Sequence, residues 1–278
     1  MKLLYGKPVA DKILNHLKDE ISLNTQKPGL AVILVGDDSA SHLYVKLKEK
    51  KALDIGMNFF RNDFSVETSQ DEILKKIKDF NEDENVHGII VQLPLPNGFD
   101  TQKIIESIDP KKDADGFHPV NTEIFLNGGN SIAPVFPGAI MKLIESCGVD
   151  LKGKNGIVIA NSESFGKIMC AALERDGIVS RYILTDDIAS QLSQIGQSDV
   201  VVSAVGSHGL LGGQMLKSGS IIVDGGIEKV GSQVLGDVDF AFLEGFDGFI
   251  TPVPGGVGPV TIACLLQNVY LAFKAQQR

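Results

Sequence analysis

Short apolar runs of strand length recur along the chain, and a longer segment of helical spacing follows most of them. Leu30 to Val35 is an unbroken apolar run closed by Gly36-Asp37-Asp38, and helical spacing follows from Ser39 to about Ile55. A weaker strand pattern covers Asn58 to Phe64. Ile73, Leu74, Ile77 and Phe80 then fall on one helical face within a segment from Ser69 to Asn81. Gly88 to Gln92 is a further strand, broken by Leu93-Pro94-Leu95-Pro96. This alternation predicts a parallel sheet covered by helices.

After a polar, turn-rich stretch from Asp109 to Gly129 the pattern starts afresh. Gly156 to Ala160 reads as a strand leading through a turn into a helix that ends near Arg175, and strands recur at Val179 to Leu184, Asp199 to Ala204 and Ser220 to Asp224. A final helix from about Pro259 to Lys274 is apolar on one face and is expected to pack back on the first domain. The fold class is therefore α/β, with two domains and a ligand cleft expected between them. A length of 278 residues agrees with two cores. The expected division is 1–120 plus 259–278 for one domain and 121–258 for the other.

Composition narrows the partners. The net charge is -9 and lysines and arginines form only short runs, which argues against nucleic acid and against an anionic membrane surface. The three cysteines, Cys147, Cys170 and Cys264, form no CxxC pair and read as small apolar residues of a reducing compartment. Met1 to Gly6 is too short for the apolar core of a signal peptide, and no uninterrupted run of about 18 apolar residues occurs. The expectation is a cytoplasmic protein with no membrane association.

Candidate chemistry is scattered along the chain. Tyr44 and Lys48 stand four apart and share a face of the first long helix, close after a strand end. Spacing alone gives a charged, solvated helix face as the commoner explanation, since Lys46, Lys50 and Lys51 lie nearby. Gln92 ends an apolar strand, where an amide either caps the loop or points into a cleft. Asp113 to His118 gathers two carboxylates and an imidazole, but without the spacing of a metal site, so a hydrogen-bonding or turn role is expected and no metal. The most distinctive segment runs from Thr251 to Thr261, where Pro252, Pro254 and Pro259 stiffen a stretch whose glycines allow close backbone approach to a ligand.

Taken together, Tyr44-x-x-x-Lys48, the Val-Gln-Leu-Pro-Leu-Pro run from Val91, Lys112-Asp-Ala-Asp-Gly-Phe-His118 with Pro119-Val-Asn121, and Thr251 to Pro259 resemble the bifunctional methylenetetrahydrofolate dehydrogenase/cyclohydrolase family. The resemblance covers nearly the whole chain in the right order. It implies an N-terminal α/β folate and catalytic domain, completed by the C-terminal helix, and a Rossmann-type dinucleotide-binding domain. It implies oxidation of 5,10-methylenetetrahydrofolate with NADP, or NAD, and hydrolysis of the methenyl product to 10-formyltetrahydrofolate, as in one-carbon metabolism and purine biosynthesis. A homodimer is expected on the same ground. Residue by residue, the resemblance implies Lys48 as the central catalytic group, Tyr44 as its stacking partner, Gln92 as the hydrogen-bonding partner of Lys48, and Asp115 on the pterin. Val91, Leu93, Pro254, Gly255, Gly256, Val257, Gly258, Pro259 and Thr261 would line the folate. Ala160, Asn161, Ser162, Gly166, Thr185, Gly206 and Ile227 would line the dinucleotide.

The dinucleotide side departs from the family pattern. Where the family carries Gly-Arg-Ser-x-x-Val-Gly-Lys-Pro, this chain reads Ala160-Asn-Ser-Glu-Ser-Phe-Gly-Lys-Ile168. Asn161 cannot supply the charge-assisted bond that an arginine gives a ribose phosphate, and Glu163 adds a negative charge. Leu184-Thr185 replaces His-Ser, Asp224-Gly225-Gly226-Ile227 replaces Asp-Val-Gly-Ile, and Pro134-Val-Phe-Pro137 replaces Pro-Cys-Thr-Pro. Retained bifunctionality with altered cofactor preference is the preferred reading. Cyclohydrolase activity alone, with a degraded cofactor site, is its alternative. A non-catalytic folate-binding protein is the alternative of another class.

Overall fold

The computed structural model describes residues 1–231 and 233–277, so positions 232 and 278 of the expected domains lie outside the described residues. In chain order its elements are β1 (Lys2–Leu3), α1 (Gly6–Ser22), β2 (Gly29–Val35), α2 (Ser39–Asp54), β3 (Asn58–Phe64), α3 (Gln70–Glu82), β4 (Gly88–Val91), α4 (Thr101–Glu106) and α5 (Pro119–Leu126). There follow α6 (Val135–Ser146), β5 (Asn155–Ala160), α7 (Glu163–Arg175), β6 (Val179–Leu184), α8 (Ile188–Ile195), β7 (Val200–Ala204), β8 (Ile221–Asp224), β9 (Glu228–Val230), β10 (Gln233–Leu235), β11 (Phe249–Ile250) and α9 (Val257–Gln276). Two compact units result, one of Asp11–Val135 with Ile262–Arg278, the other of Met1–Ala10 with Phe136–Thr261.

The first unit is built on a parallel sheet ordered β3-β2-β4. Every residue of β2 is buried, as a strand covered on both faces requires. α3 starts in a reciprocal cap between Ser69 and Glu72 and turns Ile73, Ile77 and Phe80 onto Ala31, Ile33, Ile89 and Val91 of the sheet. Residues 112–114 extend the sheet beside β4, with Ile89 N–H donating to Lys112 O and Ala114 N–H to Ile89 O. The last turns of α9 complete the unit. The Phe273 ring meets His87 edge-on at 4.8 Å, and Asn268 Nδ2 donates to Ala114 O and Ala133 O, 2.9 Å each.

α9 corrects the sequence reading in one respect. It is 20 residues long and contains an 18-residue window of mean hydropathy 1.2, enough to cross a membrane by length and composition, although no uninterrupted apolar run marks it. Two-thirds of that window (67%) is buried within the fold, which explains an apolar composition without any bilayer. The turn-rich stretch from Asp109 to Gly129 also proves to contain α5, capped by His118 and begun by Pro119.

The second unit is a six-stranded sheet ordered β1-β11-β8-β7-β5-β6, parallel at every pairing. Leu3 pairs with Ile250, which brings the first residues of the chain into this unit. β5 leads through α7 to β6 on one side, and the next strand, β7, returns to the other side of β5. The strand order therefore reverses between β5 and β7, and ligands of such sheets bind beyond the carboxyl ends of the strands at that reversal.

Candidate active site

Lys48 lies on α2, where Asp38 starts the helix by accepting from Ser41 N–H at 2.7 Å. Few residues of α2 are buried (Ser41, Val45 and Ala52), so most of its surface is not committed to the core. Tyr44 and Lys48, one turn apart, are both half-buried. Lys48 Nζ donates to Gln92 Oε1 at 3.0 Å, and Gln92 Nε2 donates to Leu93 O at 2.7 Å. Gln92 is held in turn by its own backbone, whose N–H donates to Ile33 O at 2.8 Å. The amide thus links the lysine to the end of β4, between buried Val91 and half-buried Leu93.

Asp115 comes to the same place from the strand-like segment beside β4. Burial pushes its carboxyl up to about 6, Lys48 pulls the other way, and Asp113 adds a smaller upward push. Burial likewise lowers the Lys48 ammonium below the usual lysine range, and Asp115 opposes that shift. Desolvation is the larger effect on both groups, so both are displaced toward their neutral forms. A lysine displaced in this direction keeps more of the deprotonated form that can accept a proton.

The rest of the Lys112 to His118 segment builds the loop that carries Asp115. Asp113 is 1% exposed, and its carboxylate accepts from the N–H groups of Gly116, Phe117 and His118 and from Asn121 Nδ2. His118 Nδ1 accepts from Val120 N–H at the start of α5, and Lys112 Nζ donates to the carbonyls of Phe80, Asn81 and Asp83 at the end of α3. Three polar residues of the motif therefore have structural duties, and Asp115 alone faces the lysine's field.

Thr251 to Thr261 belongs to the second unit, and its glycines divide by role. Gly256 is buried, and a Cβ there would lie 2.7 Å from both Pro252 O and Thr251 Cβ. Its absence of a side chain serves the loop's own packing. Gly255 has open space where a Cβ would stand, and Pro254 beside it is exposed. Val257 is buried, Gly258 and Pro259 are half-buried, and Thr261 Oγ1 donates to Gly258 O at 2.7 Å.

At the reversal of the second sheet, β5 ends in buried Ala160, followed by exposed Asn161 and Ser162. Ser162 starts α7 by accepting from Phe165 N–H at 3.4 Å. Gly166 lets α7 lie against Tyr182 of β6, since a Cβ there would stand 2.5 Å from the ring. This leaves the N-terminus of a long helix at the end of β5, a place where backbone N–H groups receive phosphate. Thr185 Oγ1 donates to Ala160 O at 3.4 Å, and Ile227 is 58% exposed.

Sequence reasoning missed the groups that shape the neighbouring loop. Asp237, fully buried, accepts from Ser203 Oγ at 2.6 Å and from the N–H groups of Val205, Gly206 and Ser207 at 2.7–2.8 Å. Asp224, also buried, accepts from the N–H groups of Gly226, Asp237 and Val238. Burial pushes Asp224 up to about 6 against those backbone donors, with Asp237 adding to the push. The only sequence signal was an aspartate closing the apolar run of β8.

Comparison with known proteins agrees with both halves of this description. Residues 4–115 match the model of the tetrahydrofolate dehydrogenase/cyclohydrolase catalytic domain, and residues 134–277 match that of the tetrahydrofolate dehydrogenase/cyclohydrolase NAD(P)-binding domain. The chain is 43% identical to the bifunctional protein FolD of Nitratiruptor sp., with 100% of each chain covered. It is 41% identical to that of Helicobacter pylori, over 99% of this chain and 97% of the other. Among solved structures, the bifunctional methylenetetrahydrofolate dehydrogenase/cyclohydrolase of Campylobacter jejuni superposes with a TM-score of 0.94 at 38% identity, covering 99% of each chain. The Trypanosoma brucei enzyme, complexed with NADP and an inhibitor, gives 0.93 at 32% identity, covering 99% of this chain and 98% of the other.

Proposed function

The chain belongs to the tetrahydrofolate dehydrogenase/cyclohydrolase family, and we propose that Lys48, oriented by Gln92, moves the proton in its hydrolytic step. It is an enzyme of folate one-carbon metabolism. It oxidises 5,10-methylenetetrahydrofolate to 5,10-methenyltetrahydrofolate with NAD(P), and hydrolyses the product to 10-formyltetrahydrofolate.

The observation that carries the proposal is the 3.0 Å bond from Lys48 Nζ to Gln92 Oε1 beside a carboxyl and an amine both displaced toward neutrality. The methenyl substrate is cationic, so a charged lysine would repel it and a neutral one would not. Water adds to the methenyl carbon and gives a proton to the Lys48 amine. As the bond from that carbon to N5 breaks, the lysine returns the proton to N5, and the carbinol proton leaves to solvent as the formyl group forms. Gln92 holds the amine without contributing charge. Tyr44 positions the substrate from the preceding turn, and Asp115 binds the pterin through its carboxyl.

Val91, Leu93, Pro254, Gly255, Gly256, Val257, Gly258, Pro259 and Thr261 are proposed to line the folate. The dinucleotide is proposed to lie along Ala160, Asn161, Ser162, Gly166, Thr185, Gly206 and Ile227. The start of α7, which Ser162 caps at the end of β5, fits a pyrophosphate. When bound, NAD(P) supplies the hydride acceptor. A cytoplasmic homodimer is the arrangement proposed on family resemblance.

Parallel assays test this reading: methylenetetrahydrofolate oxidation with NADP and with NAD, beside methenyltetrahydrofolate hydrolysis. Both activities are expected, with hydrolysis lost in Lys48→Ala. Hydrolysis without reduction of either dinucleotide would leave a cyclohydrolase alone, and undiminished hydrolysis in Lys48→Ala would remove the lysine from the mechanism.

A further inference from the structure

We propose that the second unit selects NAD over NADP, with Asp186 and Asp187 after β6 as the residues that set the preference. The inference rests on dinucleotide binding at that unit and goes beyond it by naming the cofactor.

Ala160 and Leu184 are register partners at the ends of adjacent parallel strands. The segments leaving those ends, Asn161 to Glu163 and Thr185 to Asp187, therefore start side by side, and Thr185 Oγ1 reaches back to Ala160 O. In sheets of this kind the adenosine ribose lies at the end of the second strand. An acidic residue there hydrogen-bonds the 2′-hydroxyl, whereas a cation there takes a 2′-phosphate. A phosphate monoester brings about two negative charges, and these need directed cationic donors.

The groups present have the opposite character. Asp186 and Asp187 are both exposed in a short 3₁₀ turn, about twenty residues beyond Gly166, which is the separation expected of the ribose-binding acid. Asn161 is uncharged. Lys167, the one cation in the first turns of α7, is bonded to Glu163 at 2.8 Å, so that pair adds no net charge. Arg181 of β6 pairs in register with Ile157, well back from the strand end. A 2′-phosphate would thus meet two aspartates with no free guanidinium or ammonium on either segment, while a 2′-hydroxyl would meet acceptors.

The competing account is that both aspartates serve the N-terminus of α8, whose dipole favours negative charge. Asp187 is the cap residue of that helix but makes no side-chain capping bond. Fluorescence titration of the full-length protein with NADH and with NADPH separates the accounts. NADH should bind at least about tenfold more tightly. In Asp186→Ser/Asp187→Ser the ratio should fall about tenfold, mainly through tighter NADPH binding. A ratio unchanged in a variant with lower Tm would assign the pair to helix capping and overturn the proposal. NADPH binding as tight as NADH in the parent protein would overturn it while leaving dinucleotide binding intact. Binding of neither would remove both.

Discussion

Lys48 Nζ and Gln92 Oε1 stand 3.0 Å apart, joining α2 to the first residue after β4 across 44 positions of sequence. The bond orients an amine that burial drives toward neutrality, and a neutral amine keeps a lone pair for a proton. Lys48→Ala should lower cyclohydrolase kcat by about 10²–10⁴-fold, the usual contribution of a positioned proton-transfer group. Folate binding, followed by ligand titration, should persist. Lys48→Arg should not restore turnover, because a guanidinium stays protonated. Restored turnover would show that positive charge is the requirement.

The same site predicts a pH profile whose sign is set by the two neighbours of Lys48. Activity needs the deprotonated amine, so kcat rises with pH through a pKa below the ordinary lysine range. Asp115 raises that pKa, so Asp115→Asn should move the rising limb to lower pH. Gln92→Glu places a carboxylate where the amide oxygen stood and should move it to higher pH. Shifts in the same direction for both variants would contradict a proton-transfer role for the lysine.

These contacts mark the limit of what the sequence discloses. The strands β2, β4, β5, β7 and β8 were legible because each contains an unbroken apolar run of at least three residues. The two-residue strands β1 and β11 were not, since nothing so short carries a period and their pairing joins opposite ends of the chain. α1 escaped notice although Ala10, Leu14, Leu17 and Ile21 bury one helical face at helical spacing, so that signal was available. Of the site, Tyr44 and Lys48 looked like a solvated helix face until family resemblance singled them out. Periodicity places a residue on a face of its own element, but not opposite a residue of another. For the same reason Asp237 gave no sign that four donors would converge on it.

Gly166 and Tyr182 form a contact whose cost can be measured. A Cβ at Gly166 would stand 2.5 Å from the ring, so Gly166→Ala must push α7 away from β6. The expected loss of stability is about 1–3 kcal/mol, the range for overpacking a core. In the Tyr182→Ala background the penalty should largely vanish, giving a coupling energy of about 1 kcal/mol or more in a double-mutant cycle by urea unfolding. Additive effects would mean that helix α7 has room to spare.

Asp237 makes the last prediction, because its carboxylate is fully occupied. One oxygen accepts from Ser203 Oγ and Val205 N–H, the other from Gly206 and Ser207 N–H. An asparagine keeps the shape but replaces one acceptor by a nitrogen that accepts nothing; turned toward Ser203, whose hydroxyl can accept from it, the amide leaves the Val205 N–H without its partner. At about 1–3 kcal/mol for a donor left unsatisfied, Asp237→Asn should cost roughly that amount in urea unfolding. The donors lie on the loop after β7, at the reversal of the sheet where the dinucleotide is proposed to bind. NADH affinity should therefore fall in the fraction that remains folded. Methenyltetrahydrofolate hydrolysis, whose proposed proton-transfer groups Lys48 and Gln92 belong to the other unit, should fall less. Equal loss of both would mean that the carboxylate supports the fold as a whole, and unchanged affinity would mean that the loop holds its shape without it.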